Sequence, residues 1–121
     1  MPENAVGYLY AAENNIMSKR TYSKATKATI NELKTDSRAY RYEEDGNKYG
    51  LLILYRGETL FYQENDRALL CEIAARFAFI NPDTIAHWDD NTAISTEERA
   101  VILEKIITLY KKAYKDDLKI F

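Results

Sequence analysis

The sequence predicts an α+β fold in which an antiparallel β-meander packs against a C-terminal α-helix, with an additional helix nearer the N-terminus. The first observation is the pair Asp45-Gly46 between two strand-like runs, which favours a tight hairpin because both residue types tolerate positive φ. The second is residues 95–98, Ser-Thr-Glu-Glu, which form a capping box ahead of apolar residues at helical spacing. Both patterns are local, so each predicts its element independently of the rest of the chain.

Three consecutive strands are predicted in the middle of the chain, at residues 39–44, 48–56 and 59–63. The first alternates tyrosine with polar residues, and the second contains the longest apolar cluster of the chain. Gly57-Glu58 supplies the turn between the second and third strands. Leu60 and Tyr62 are expected to share one face of the third strand, with Phe61 on the other.

The C-terminal helix is predicted to run from about Thr96 to about Lys115. The Ser95 hydroxyl is expected to cap the amide of Glu98, whose carboxylate would reach back to the Ser95 amide. Acidic residues in the first turn and lysines at the end suit the helix dipole. Five residues at helical spacing would face the sheet: Ile102, Ile106, Leu109, Tyr110 and Ala113.

Three other segments follow weaker patterns. Residues 5–12 alternate Val6, Tyr8 and Tyr10 as a strand would, and residues 21–33 space their apolar side chains as a helix would. Residues 66–80 fit both patterns, since Leu70, Ile73, Phe77 and Ile80 form a helical stripe while Phe77 and Phe79 alternate. Periodicity alone leaves helix and strand open there.

Composition is typical of a single globular domain, residues 1–121, with 46% hydrophobic and 30% charged residues. Cys71 is the only cysteine, so an intrachain disulfide is excluded, which fits a reducing compartment. The N-terminus lacks the basic start and apolar stretch of a signal peptide. No run approaches the roughly 18 apolar residues of a membrane span. We therefore expect a cytoplasmic protein with no membrane partner.

Motifs for catalysis or metal binding are scarce. His87 is the only histidine and Cys71 the only cysteine, so a zinc site built from four cysteine or histidine ligands is excluded. Cys71 lies in an apolar run that predicts burial, and His87 beside Trp88 is interpreted as a packing residue. Residues 89–91, Asp-Asp-Asn, lack the glycine and glutamate that a calcium loop requires. Without a phosphate loop or a nucleophile elbow, we expect no cofactor, no metal, no small-molecule substrate and no enzymatic activity, with a metal-independent nuclease as a minor alternative.

Charge is distributed unevenly along the chain. Residues 18–41 hold seven basic and two acidic residues, a net charge of +5, whereas residues 58–98 hold two basic and nine acidic residues, a net charge of −7. Such runs are usually solvated faces, but an acidic surface can also attract a basic protein partner. Six acidic residues are the candidate partner-binding set: Glu58, Glu64, Asp66, Asp83, Asp89 and Asp90.

Residues 18–41 carry the alternative function, a small nucleic-acid-binding or regulatory module. Basic residues are interleaved there with Tyr22 and Tyr40, and tyrosine rings can stack on nucleobases. The overall net charge of −2 opposes phosphate binding. The preference of tyrosine for strands explains most of the ten tyrosines of the chain, although tyrosine is also enriched at protein interfaces. The sequence therefore disfavours nucleic acid as the main partner.

From Tyr40 to Tyr110 the features follow a distinctive order. A Tyr-x-Tyr segment opens a glycine-turned hairpin, and apolar strands follow; residues 83–89, Asp-Thr-Ile-Ala-His-Trp-Asp, and 94–99, Ile-Ser-Thr-Glu-Glu-Arg, then precede the isoleucine-rich helix. This order resembles the small immunity proteins of bacterial polymorphic and contact-dependent toxin systems. The resemblance implies a cytoplasmic, non-enzymatic protein that binds and neutralises one cognate toxin domain, such as a nuclease. It also favours strand for residues 69–80, implies that Trp88 packs under the helix, and transfers no binding residues.

Overall fold

The computed structural model describes residues 21–121, which form a six-stranded sheet with a helix on each face. The strands are β1 (Tyr40–Glu44), β2 (Asn47–Leu54), β3 (Thr59–Glu64), β4 (Arg67–Ala74), β5 (Phe79–Ile80) and β6 (Lys119–Ile120). The helices are α1 (Lys24–Leu33) and α2 (Thr96–Tyr114). Neighbouring strands follow chain order and are antiparallel, except that β6 runs parallel to β5. The predicted α+β class, meander, C-terminal helix and additional helix are confirmed; the strand predicted at residues 5–12 lies outside the described residues.

The hairpin predicted at Asp45-Gly46 is present, with φ angles of 53° and 81° at these two residues. Glu44 pairs with Asn47 across the two-residue loop, which places the tyrosines of β1 on one face. The second strand ends at Leu54, two residues before the predicted boundary, because Tyr55 and Arg56 adopt left-handed backbone conformations that leave the ladder.

Residues 66–80 form β4, a short 3-10 turn at Ala75–Phe77 and β5, so the strand interpretation is confirmed. Leu70 belongs to the apolar cluster on the α1 side of the sheet, and Ile73 belongs to the cluster on the α2 side. The helical spacing of these side chains is coincidental, because a strand covered on both faces is apolar throughout and shows no alternation.

Two apolar clusters lie on opposite faces of the sheet. On one face Leu60 and Tyr62 pack in the cluster that contains four of the five predicted inner-face residues of α2, including Ile106; the fifth, Ala113, is half-buried and lies outside the cluster. On the other face Phe61 packs in the cluster that contains Ile30 of α1. The predicted division of β3 between its two faces is confirmed, and the sheet is the middle of three layers.

The capping sequence of α2 is half confirmed. The Ser95 hydroxyl accepts the Glu98 amide at 3.1 Å, as predicted. The reciprocal bond is not formed, because the Glu98 carboxylate instead accepts the indole N–H of Trp88 at 3.1 Å. α2 ends before Lys115, which has a φ of 61° and closes the helix in a left-handed conformation.

Candidate functional site

The six candidate acidic residues do not share one surface, because they divide between the two ends of the sheet. Glu64 ends β3, Asp66 lies in the β3–β4 turn, and Asp89 is bonded to Ala68 just after that turn. At the far end, Glu58 lies in the turn that precedes β3, as predicted for Gly57-Glu58. Asp83 also lies at the far end. Its neighbour Thr84 accepts the Glu72 amide, and Glu72 pairs with Thr59 at the start of β3. These two ends are the candidate sites.

Asp89 is a structural residue. Its Oδ2 atom lies 2.7 Å from the Lys34 ammonium at the end of α1, and its Oδ1 atom accepts the Ala68 amide at 3.0 Å. The Asp89 amide in turn donates to the Ala68 carbonyl at 2.8 Å. The carboxylate thus joins α1, β4 and the loop before α2, and its charge is offset within the fold.

Glu64 and Asp83 are also partly engaged. Glu64 accepts the Tyr62 hydroxyl at 2.9 Å and lies 3.6 Å from Arg67. Burial of Tyr62, reinforced by the neighbouring Glu64 charge, raises the pKa of that hydroxyl. Asp83 lies 3.9 Å from Arg99, although its side chain is exposed. Contacts within the chain therefore occupy part of the binding capacity of both carboxylates.

Four exposed carboxylates remain around the two hairpin turns at one end of the sheet. Asp66 and Asp90 come from the predicted set, and Glu43 and Asp45 come from the β1–β2 hairpin. Within residues 21–121 none of the four has an ion-pair partner. Hydrogen bonds from Thr92 lower the pKa of Asp90, so that carboxylate stays ionised. We call these four residues the acidic end.

The two turns of the acidic end are tied together by Asn65. Its amide donates to the Lys48 carbonyl at 2.7 Å, its Oδ1 atom accepts the Lys48 amide at 3.0 Å, and its Nδ2 atom donates to Asn47 at 3.1 Å. Asn65 has a φ of 57°, a conformation that asparagine tolerates better than most residues. The backbones of the two turns that carry the carboxylates are therefore held in fixed relative positions.

A groove of about 840 Å³ adjoins the acidic end and is lined by residues of both charges, including Arg41, Glu43, Lys48 and Asp66. Arg41 lies across Gly50, where any β-carbon would overlap its guanidinium. It donates to Gln63 at 2.8 Å and to the Lys34 carbonyl at 2.9 Å, at the C-terminus of α1. The Arg41 side chain therefore stabilises the end of α1 while its charge borders the groove.

Several side chains of the basic segment act within the fold. Lys34 pairs with Asp89, Arg38 lies 2.7 Å from Asp36, and Arg41 serves α1. The hydroxyl of Tyr22 accepts the Leu70 amide, and its single proton lies between the Leu70 and His87 carbonyls, each 3.2 Å away; burial raises the pKa of this hydroxyl to about 12. A half-buried tyrosine bonded in this way does not offer its ring to a nucleobase. Lys24 and Lys27 lie on α1, whereas residues 19 and 20 lie outside the described part.

The opposite end of the sheet presents two adjacent turns, Tyr55–Gly57 and Ala75–Phe77, which meet between Gly57 and Ala75. The side chains of Tyr55 and Phe77 are 59% and 61% exposed, and each turn carries an arginine. Arginine and aromatic residues are enriched in protein interfaces. Sequence reasoning missed this surface because it continued the second strand through Arg56. We call Tyr55, Arg56, Arg76 and Phe77 the arginine end.

The backbone of the first turn is strained at Tyr55, which has a φ of 51°. The left-handed region costs a bulky L-residue roughly 1–2 kcal/mol, and asparagine tolerates it better. We expect Tyr55→Asn to raise the free energy of unfolding by roughly 0.5–1 kcal/mol, measured by urea denaturation. The same substitution at Tyr40, a half-buried strand residue, should destabilise the protein; a loss of similar size at Tyr55 would contradict the strain.

Cys71 and His87 are the only cysteine and the only histidine of the chain, and their surroundings differ. Cys71 is fully buried, and burial raises the pKa of its thiol, as expected for a packing residue. The Nδ1 atom of His87 is buried and has no hydrogen-bond partner within the described residues. Residues 21–121 contain no group of three or more side chains that could hold a metal ion.

Trp88 is 1% exposed and packs in the cluster beneath α2, as predicted. The guanidinium of Arg67 lies 4.0 Å from the centroid of its ring and 3.5 Å from Glu98, which accepts the indole N–H. These contacts attach the loop that contains Asp90 to the first turn of α2.

Comparison with protein-family models, with curated proteins and with solved structures gives no match. Among the described residues, none of the helices has the length and apolar composition needed to cross a membrane.

Proposed function

We propose that this protein is an immunity protein, which binds and neutralises a cognate bacterial toxin domain by covering its active or substrate-binding surface. The acidic end is the observation that supports this proposal most directly. Four exposed carboxylates without ion-pair partners in the described structure lie at one end of the sheet: two on the β1–β2 hairpin, one on the β3–β4 turn that Asn65 joins to it, and Asp90 on the loop before α2. The order of features from Tyr40 to Tyr110 supports the same class of protein.

The partner that best suits this surface is a basic domain, such as a nuclease that binds phosphate groups. Opposed charges accelerate the encounter of two proteins and disfavour wrong partners. Because the two turns joined by Asn65 are already fixed, binding loses little backbone conformational entropy at these turns. The proposed action is steric and electrostatic, and it requires no catalytic group in this chain.

The test is to co-purify the protein with the product of the adjacent gene and to measure association rates for paired variants. At the acidic end we expect Asp66→Asn with Asp90→Asn to slow association roughly 3–10-fold at low salt. The matched control, Glu58→Gln with Asp83→Asn, removes two acidic charges from the opposite end and should change the rate little. Raising the ionic strength should reduce the difference, because exposed charges are screened.

Three outcomes would contradict parts of this proposal. Loss of binding confined to the control pair would place the interface at the opposite end of the sheet, which is the arginine end. Loss confined to Lys24→Ala with Lys27→Ala would place it on the basic segment. If the neighbouring product does not bind, and the protein instead shifts RNA or DNA with steep salt dependence, the nucleic-acid alternative would replace the proposal.

A further inference from the structure

Among the strands of residues 21–121, β1 is the outermost strand of the sheet, and no other strand in that range pairs with its outer edge. Lys48 on β2 turns both its amide and its carbonyl towards Asn65. In an antiparallel ladder the residue opposite, Glu43, must then turn its own amide and carbonyl outward. The same alternation turns the backbone of Arg41 outward. Within residues 21–121 these groups have no hydrogen-bond partner.

We propose that a second copy of this chain pairs with β1 in antiparallel orientation about a two-fold axis at Tyr42. Arg41 would exchange two backbone hydrogen bonds with Glu43 of the second copy, and the symmetry repeats this exchange on the other side of the axis. Tyr42 would meet its own counterpart at a non-hydrogen-bonded position, where opposing side chains lie closest and aromatic pairs are favourable. Two six-stranded sheets would become one continuous sheet.

The charges of β1 select this register. Three antiparallel registers join the outward backbone groups of two copies, and they differ in which side chains lie opposite. One places Arg41 against Arg41, and another places Glu43 against Glu43. Only the register centred on Tyr42 puts Arg41 opposite Glu43 twice, with no like charges directly opposed. Charged residues on an edge strand hinder indiscriminate pairing, and here the same charges favour one pairing.

The side chains of β1 are accessible for this contact. Arg41, Glu43 and Glu44 are exposed, and Tyr42 is half-buried with the Lys112 ammonium 5.0 Å from its ring centroid. In the single chain the Arg41 guanidinium leans inward to Gln63, so a direct ion pair with the second copy requires Arg41 to turn outward. The pairing is expected to be weak, because a five-residue edge buries little surface.

This inference does not rest on the proposed function, although Glu43 belongs both to the acidic end and to the dimer contact, and the two can be tested apart. The dimer contact uses Glu43, whereas the toxin-binding test replaces Asp66 and Asp90, which β1 does not contain. Loss of toxin binding and loss of self-association therefore have different signatures.

The experiment is sedimentation of the 121-residue chain over a wide concentration range, up to about the millimolar level expected for weak contacts. We expect a reversible dimer whose dissociation constant rises roughly tenfold or more in Glu43→Arg, where arginines of the two copies would oppose each other twice. Glu43→Pro should also abolish the dimer, because it removes an outward amide while leaving the ladder to β2 intact. Glu97→Arg is the control, since this exposed residue at the start of α2 has the same change in charge and should leave the dimer unchanged.

Amide hydrogen exchange provides a readout that does not depend on any variant. The amides of Arg41 and Glu43 should become more protected as the protein concentration rises, whereas that of Glu97 should not. A wild-type chain that stays monomeric at every concentration would overturn the proposal. A dimer that survives both Glu43 variants, or one that forms without added protection at Arg41 and Glu43, would place the contact elsewhere.

Discussion

Replacing Trp88 with alanine is expected to lower the free energy of unfolding by about 3–5 kcal/mol. The indole is 1% exposed, its ring centroid lies 6.4 Å from that of Tyr62, and its N–H donates to Glu98. Removing it would leave a cavity under α2 and would release the Arg67 side chain from the ring. Urea denaturation followed by circular dichroism measures the loss.

Trp88→Phe is the matched comparison for this variant. It keeps an aromatic ring in the core but removes the indole N–H, so the expected loss is closer to 1–2 kcal/mol. If Trp88→Ala loses less than about 1 kcal/mol, then Trp88 does not hold the loop and α2 together as described.

Ile106→Ala is expected to destabilise the protein by about 2–5 kcal/mol. Ile106 is fully buried at the centre of the α2 face that meets the sheet. Val101 lies on the same helix but is 66% exposed, so Val101→Ala should change stability by no more than about 0.5 kcal/mol. Equal effects of the two substitutions, measured by the same denaturation, would mean that the helix buries a different face.

Elements with local signals could be predicted from the sequence. Asp45-Gly46 specifies its turn through backbone conformations that few other residue types accept, and Ser95 specifies the start of α2 through a single hydrogen bond. The layers on either side of β4 could not be predicted in the same way. The strand is apolar on both faces, so its sequence contains no period that distinguishes it from a buried helix.

The candidate site was less predictable, because counting charge along the chain ignores the direction of each strand. Glu58 and Glu64 are near in sequence, yet β3 carries them to opposite ends of the sheet. Asp89 belongs to the predicted binding set, and only the packing of α1 shows that its carboxylate pairs with Lys34. Asp45 joins the acidic end through the folding of a different hairpin, which a count over residues 58–98 does not include.

The way in which α1 is attached has a consequence for partial unfolding. α1 buries only Ile30 and Leu33, and polar contacts hold it near both ends, through Tyr22 before it and Lys34 after it. The polar contacts reach residues at least 48 positions away in the sequence, and the apolar contacts lie in one small cluster. A helix as short as α1 is therefore not expected to be stable without the rest of the fold. A fluctuation that releases α1 would expose the apolar underside of the sheet around Phe61 while leaving the α2 cluster assembled. Local unfolding of α1 would therefore expose an apolar surface that can associate with other chains. The hydroxyl of Tyr22 is one of the few groups that hold α1 against the sheet.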